Sequence, residues 1–515
     1  MLILKRQEIF FVMKWRTNPT IYEINTRIWL KDISNKYKIK MNLADVPDEV
    51  ITSIKEMGFD AIWLMGVWEP SVTGREIAAT HSGLLSDFKN TLSDLKSEDI
   101  VSSPYAVRNY NVSEILGGDD SLIKFREKLN KAGLKLVLDF VPNHTAIDHP
   151  WIKEHPEYYV RGTYSDYIKD SANFFNAGSE SEPNIFAHGK DPYYPGWTDT
   201  AQLNYFNSGL RKAMIEVIKK IANMSDGIRC DMAMLIMNGI QYQVWGDRLF
   251  TEKDSNEYDE FWSEAIKEVK KEYPDFMFIA EAYWMKEGPL QDLGFDYTYD
   301  KALYDWLKRG EVREISSYIS KGFDEYQKRC IRFIENHDEE RAGKAFGTEH
   351  QKSALLAILS LPGATLLHEG EIEGRKIKVP VQLSRRPDEP VNENIKNYYL
   401  NLLKIVSQEE FHNGKYRLYH QRSAWEGNYT YTNYLIWSWN SNENFYLVVI
   451  NFSPFRSQCY VTLPSEEVDN QNCTLIDMIG NDIYERDGCV LCRQGLYLDM
   501  QPWQRHLFKF EREEQ

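Results

Sequence analysis

Three carboxylates stand at the ends of short apolar runs, far apart along the chain. They are Asp231 in Gly227–Met234 (GIRCDMAM), Glu281 in Phe276–Trp284 (FMFIAEAYW) and Asp338 in Ile331–Asp338 (IRFIENHD). A fourth run, Leu136–His144 (LVLDFVPNH), carries Asp139, Asn143 and His144. Two carboxyl groups flanking an acetal can cleave it: one attacks the carbon, and the other protonates the leaving oxygen and then activates water. A third can stabilise the positive charge that develops in between. The attacker must be ionised. Arg229 lies two positions before Asp231, and residues two apart on a strand share a face. Its guanidinium is therefore expected to hold Asp231 as a carboxylate with a lowered pKa. Glu281, set among Phe278, Ile279, Tyr283 and Trp284, is expected to be raised by desolvation, which suits a proton donor. His144 and His337 are donors suited to sugar hydroxyls. Taken singly, an acid at a strand end is more often a helix cap or an ion-pair partner; four such segments in one order carry the reading.

Carboxylates from separate strands converge where a parallel barrel presents its strand ends. Strand-like and helix-like runs alternate from about residue 20 to 405. The expected strands are Ile21–Trp29, Ala61–Trp68, Leu134–Val141, one starting at Gly227, one at Phe276, Phe295–Tyr299, Cys330–Glu335 and Ala364–His368. Helices are expected over Pro47–Met57, from a cap at Asp119 or Asp120 to Gly133, and over Asn207–Asn223, Tyr258–Glu272 and Ile395–Ile405. This is the α/β class, a (β/α)8 TIM barrel, over 15–144 and 206–410. Residues 145–205 are too long for an ordinary βα loop and read as a small domain inserted after the third strand. Residues 411–515, with runs such as Tyr434–Trp439 and Asn444–Asn451, read as a C-terminal antiparallel β-sandwich.

The 515 residues carry a net charge of −16, which argues against nucleic acid and against an anionic membrane surface as partners. No segment reaches the roughly 18–20 apolar residues of a membrane span. The N-terminal MLILKRQEIFFVMKW is interrupted by Lys5–Glu8 and offers no small-residue cleavage site, so a cytoplasmic protein is expected, with Met13 a candidate start. Aromatic residues make up 13% of the chain, compatible with faces that stack on sugar rings. Of six cysteines, Cys489 and Cys492 have a C-x-x-C spacing. Without a second close pair, buried free thiols are expected rather than zinc. Arg375, Lys376, Lys378, Arg385 and Arg386 cluster near the eighth strand. They read as a solvated charged loop, with a phosphorylated sugar as the sharper alternative.

Together the segments resemble the α-amylase family of retaining glycoside hydrolases and transglycosylases, over about residues 20–510. DFVPNH (Asp139–His144), GIRCDMAM, IAEAYW and ENHD resemble the family's four motifs in order, and TAQLN (Thr200–Asn204) resembles its extra motif. The resemblance implies Asp231 as nucleophile, Glu281 as acid/base and Asp338 as transition-state stabiliser. It implies Asp139, His144, Arg229 and His337 around the sugar, and Tyr105, in Ser103–Val107 (SPYAV), as the platform beneath it. It implies no required cofactor; calcium stays open, with Asn143 as the candidate ligand. The implied partner is an oligosaccharide or α-glucan. Met232–Leu235 (MAML) stands where starch α-amylases carry a Lys-His pair, which weakens a plain starch-endohydrolase reading. SPYAV and NHDEERA look more like members acting on maltosyl units. Hydrolysis by double displacement is expected, with transglycosylation by the same residues as the alternative and a non-catalytic glycan binder as a remoter one.

Overall fold

The computed structural model describes residues 14–250, 259–321, 325–441, 444–464, 468 and 472–511. Eight parallel strands close a barrel in chain order: β1 (Thr20–Asn25), β2 (Ala61–Met65), β3 (Lys135–Phe140), β4 (Gly227–Cys230), β5 (Met277–Ala280), β6 (Tyr297–Tyr299), β7 (Cys330–Arg332) and β8 (Ala364–His368). β1 pairs with both β2 and β8, which shuts the cylinder. Apart from Tyr297, every residue of these strands is buried. Both faces are covered, one by the barrel interior and one by helices, so the strands read as near-continuous apolar runs.

The expected α/β barrel is the architecture observed, with several shorter strands. β1 stops at Asn25 rather than Trp29, because the Asn25 side chain accepts from Ile28 N (3.4 Å) and starts helix α1 (Thr26–Tyr37). β2 stops at Met65, and Trp68 begins a separate ribbon with Val107–Val112. β7 stops at Arg332, before Glu335. Helix α2 (Asp48–Glu56) precedes β2. Helices α3 (Val72–Thr80) and α4 (Ser82–Thr91) fill an excursion after β2 for which the sequence raised no expectation. Helix α5 (Gly118–Lys131) starts after Gly117 and not at an aspartate cap; Asp119 instead accepts from Val112 N at 2.8 Å.

After β3, His144–Ala146 pairs antiparallel with Thr200–Gln202 and closes the neck of the long insertion. Inside it Phe174–Asn176 pairs with Ile185–Ala187, over a small core of Val160, Phe174, Ile185 and Ala187. Helix α6 (Ser208–Met224), capped by Asn207, leads to β4, and α7 (Phe261–Glu272) leads to β5. Tyr258, the expected start of α7, and Met13 lie outside the described residues.

The C-terminal part is a six-stranded antiparallel sheet facing a three-stranded one. Period-2 alternation sorts its side chains. From Tyr434–Asn440, Leu435, Trp437 and Trp439 join the barrel's core, while Tyr434 and Ile436 join a second core with Cys459, Val461 and Leu498. The Trp437 and Trp439 indoles donate to Ser360 Oγ (3.2 Å) and Ser360 O (2.7 Å) on the barrel helix Thr348–Ser360. None of the cysteines is in a disulfide; Cys230, Cys330, Cys459 and Cys473 are buried as expected, whereas Cys489 and Cys492 are half-buried. Cys459, Cys473 and the Cys489–Cys492 pair lie on three different elements. Among the described residues no three His, Cys, Asp or Glu are grouped to hold a metal ion, and no helix is long and apolar enough to cross a membrane.

Trp437 is fully buried where the two parts meet. Trp437→Ala should cost about 3–5 kcal/mol, and in calorimetry the C-terminal sheet should then melt ahead of the barrel. An unshifted single transition would show that the sheet owes nothing to this contact.

Candidate active site

Arg229 is the centre of the site. It sits on β4 opposite Asp139 of β3 and Ile279 of β5 and is almost wholly buried. Its Nη1 lies 2.7 Å from Asp231 Oδ1 and 3.7 Å from Asp139 Oδ1, and its Nη2 lies 2.8 Å from Glu281 Oε2. The rings of Trp63, Tyr105 and Tyr299 surround its guanidinium at 5.1, 5.3 and 5.6 Å, and Tyr299 Oη accepts from Nε at 3.3 Å. A cation this deep needs such acids and ring faces to replace water. Asp231 follows the end of β4, and its N–H donates to Phe140 O. Next comes Met232, with φ of 42°. This left-handed kink, costly for a side chain of this size, aims the Met232 N–H at Glu281 Oε2 (2.6 Å). Tyr283 Oη donates to Glu281 Oε1 at 2.9 Å.

His337 is the second centre. Its Nδ1 lies 2.5 Å from Glu23 Oε1, and its Nε2 faces Asp338 Oδ2 (3.0 Å) and Tyr105 Oη (2.6 Å). Tyr105 stacks on the imidazole with ring centroids 5.3 Å apart. Asn336 Oδ1 accepts from the N–H groups of Asp338 and Glu339, both at 2.9 Å, and so fixes the turn that presents Asp338. The two centres share Trp63 and Tyr105, and the Asp338 charge acts on Asp231.

Burial pushes Asp231 up to about 8; Arg229 opposes this, and the Glu281 and Asp338 charges add to it. The expectation of a lowered Asp231 is thus reversed, because burial, with acids arriving from other strands, outweighs the guanidinium that Arg229 offers. Asp231 and Glu281 bind one cation, Arg229. Glu281 does not sit in the apolar setting its sequence neighbours suggest: Arg229, the Met232 N–H and the Tyr283 hydroxyl occupy its oxygens. Asp338 is held well below the ordinary carboxylate range; burial works against this, but the charge and hydrogen bond of His337 prevail. His337 is itself pushed up to about 10, burial being outweighed by Asp338 and Glu23. Burial raises Asp139 to about 6, against the pull of Arg229 and His337.

Tyr105, Asp139, Arg229 and His337 thus all lie with the three carboxylates. His144 is buried 5.1 Å (centroid to centroid) from the Trp197 ring, and burial lowers it to about 4, so it is a neutral donor. Asn143 does not suit a cation. The Gln202 Nε2 amide donates to Asn143 O (2.9 Å), Asn143 Oδ1 (2.9 Å) and Leu203 O (3.0 Å). A nitrogen thus occupies the point where these oxygens converge, and calcium wants six to eight free oxygens. The basic cluster does not converge on a phosphate. Arg385 pairs with Asp94 and Asp99, Arg386 pairs with Asp32 and Glu369, and Lys378 reaches Asp338 O. Sequence reasoning missed Glu23, Trp63 and Tyr299. A lone acid inside the buried run TIYEIN was the available signal for Glu23.

Residues 49–395 match the family model described as alpha amylase, catalytic domain. Over 373 residues the chain is 26% identical to an α-amylase, MalA, of Haloarcula japonica, covering 70% of this chain and 45% of that protein. It is 23% identical to a probable oligo-1,6-glucosidase of Bacillus subtilis, covering 62% of this chain and 59% of the relative. The chain thus spans about half the length of these curated relatives. The solved structure of a noncanonic maltogenic α-amylase, AmyB, of Thermotoga neapolitana shares the fold. Its TM-score is 0.66 at 19% identity, with 96% of this chain and 98% of that one covered.

His337 titrates near 10 in the fold against an ordinary 6.5. Its charged form is favoured, so the stability it contributes is complete below pH 6.5 and is lost as pH rises through about 10. The urea midpoint should therefore fall across that window, and His337→Gln should flatten the fall. An equal slope in the variant would place the charge elsewhere.

Proposed function

The chain belongs to the α-amylase catalytic-domain family, and from that premise we propose that it cleaves α-glucosidic bonds of malto-oligosaccharides or α-glucans with retention at the anomeric carbon. The observation that carries this reading is the bridging of Asp231 and Glu281 by the single guanidinium of Arg229. Retaining displacement needs its two carboxyls close, ~5–5.5 Å apart. In the first step Asp231 attacks the anomeric carbon as the glycosidic bond breaks, and Glu281 gives its proton to the departing oxygen. In the second, Glu281 takes a proton from water, whose oxygen displaces Asp231 and returns it as carboxylate. The cycle needs the attacker bare and the donor loaded; burial raises Asp231 to about 8, and the Arg229 guanidinium 2.7 Å away is the group that favours its carboxylate.

Asp338, kept ionised by His337, faces the cationic sugar at the transition state. Tyr105 is the platform beneath the ring, and Asp139, His144 and His337 bind hydroxyls. No step is assigned to a metal. The four buried cysteines, none in a disulfide, support a reducing, cytoplasmic setting, and the −16 charge supports a reading without nucleic acid or membrane.

Transglycosylation by the same residues is the second reading, favoured by the apolar rim beside Glu281. Trp284 packs edge-on against Tyr193 at 5.1 Å. Tyr193, Tyr194 and Met285 are exposed around it, and Trp284 and Met285 both hold φ of 59°. A ring-faced rim binds an acceptor sugar better than it binds water.

Incubation with maltoheptaose, followed by NMR of the first-formed anomer, should show retention; an inverted product would end the proposal. Asp231→Asn should lower kcat by about 10^4-fold or more while the fold persists. With excess maltose as acceptor, Trp284→Ala should lower the ratio of transfer to hydrolysis. An unchanged ratio would remove the acceptor role of the rim.

A further inference from the structure

A second cavity, about 910 Å³ in volume, opens between α1, the start of α3 and the segment 100–102. None of the residues assigned above to the sugar site lines it. Its walls are aliphatic: Leu30, Ile39, Met41, Val72, Ile100 and Ile115. Ile39, Val72 and Ile115 are 64, 65 and 72% exposed, so the apolar lining continues out to the surface. No aromatic ring lines it, which argues against a sugar platform.

Its charged lining is one-sided. Arg27, Lys31, Lys38, Lys40 and Arg75 face it, with Glu98 the single acid. Among the described residues neither arginine has a carboxylate partner. Arg27 Nη1 donates to Ser102 O (3.0 Å), and Arg75 donates to Ile100 O (2.9 Å) and Ser97 O (3.4 Å). Burial alone lowers Arg27, to about 10. This contrasts with Arg229, Arg385 and Arg386, each of which is met by two acids or more. Ser102, 2% exposed, also lines the cavity, and its buried hydroxyl makes no hydrogen bond among the described residues. In a chain of net charge −16, a cleft holding five cations, two of them arginines without acids, and an unused hydroxyl is built for an anion. The aliphatic walls ask for an apolar body on that anion.

We propose that the cleft between α1 and α3 binds an amphipathic organic anion, its phosphate-like head taken by Arg27, Arg75 and Ser102 and its aliphatic body laid along Ile39, Val72 and Ile115. Arg forks match phosphate oxygens. The inference does not rest on the proposed glycosidase activity.

Isothermal titration of the full chain with decyl phosphate, kept below its micelle concentration, tests this. One saturable site is expected, weakening as salt rises. Decanol, which lacks the charge, and inorganic phosphate, which lacks the body, should each bind about tenfold more weakly or worse. Arg27→Met should weaken decyl phosphate by about tenfold or more, the loss expected for a charged hydrogen bond. Val72→Asp, at an exposed position, should do the same and keeps the test open if Arg27→Met does not fold. Decanol or phosphate binding as tightly as decyl phosphate, several equivalent sites, or unchanged affinity in the folded variants would each overturn the proposal.

Discussion

Arg229 is the constraint around which the rest is arranged. A guanidinium inside a barrel cannot be left without counter-charge. The parallel register of β3, β4 and β5 brings Asp139, Asp231 and Glu281 around it. The same cation that makes the burial of three acids tolerable also fixes where they point. The interior is therefore over-supplied with carboxylates for one arginine, and this excess adds to burial in raising Asp231 well above the usual carboxylate range. A site arranged this way is less stable than one filled with apolar side chains.

A second balance runs in the opposite sense. His337 has two carboxylates for one imidazole, Glu23 and Asp338. It stays charged, and Asp338 stays bare. Two neighbouring clusters that share Trp63 and Tyr105 thus shift their acids in opposite directions: Asp231 is raised and Asp338 is lowered.

Much of the barrel was legible because its strands are buried on both faces and read as apolar runs, and because each run ended in a polar residue. What could not be read were events decided by single side chains. Asn25 starts α1 by capping it, so the β-like run through Trp29 breaks where no periodicity marks a break. The direction of the Asp231 shift was misread because Arg229 is visible two residues away, while the depth of burial and the charges of Glu281 and Asp338 are set by other strands. Glu23 was overlooked because a lone acid within TIYEIN looks like an exposed strand position until β8 and β2 close over both sides. The excursion carrying α3 and α4 was passed over, although it builds one wall of the second cleft.

Glu23 and His337 meet across a sequence separation of 314 residues, at the strands near the seam of the cylinder. Contacts of such range form late, because the intervening chain must first be ordered. During synthesis the first strand leaves the ribosome with its carboxylate unanswered and waits for most of the barrel to follow. A chain truncated before the seventh strand therefore has neither the imidazolium nor the bare acid beside it. The pairing of Glu23 with His337 is thus completed only as the cylinder closes.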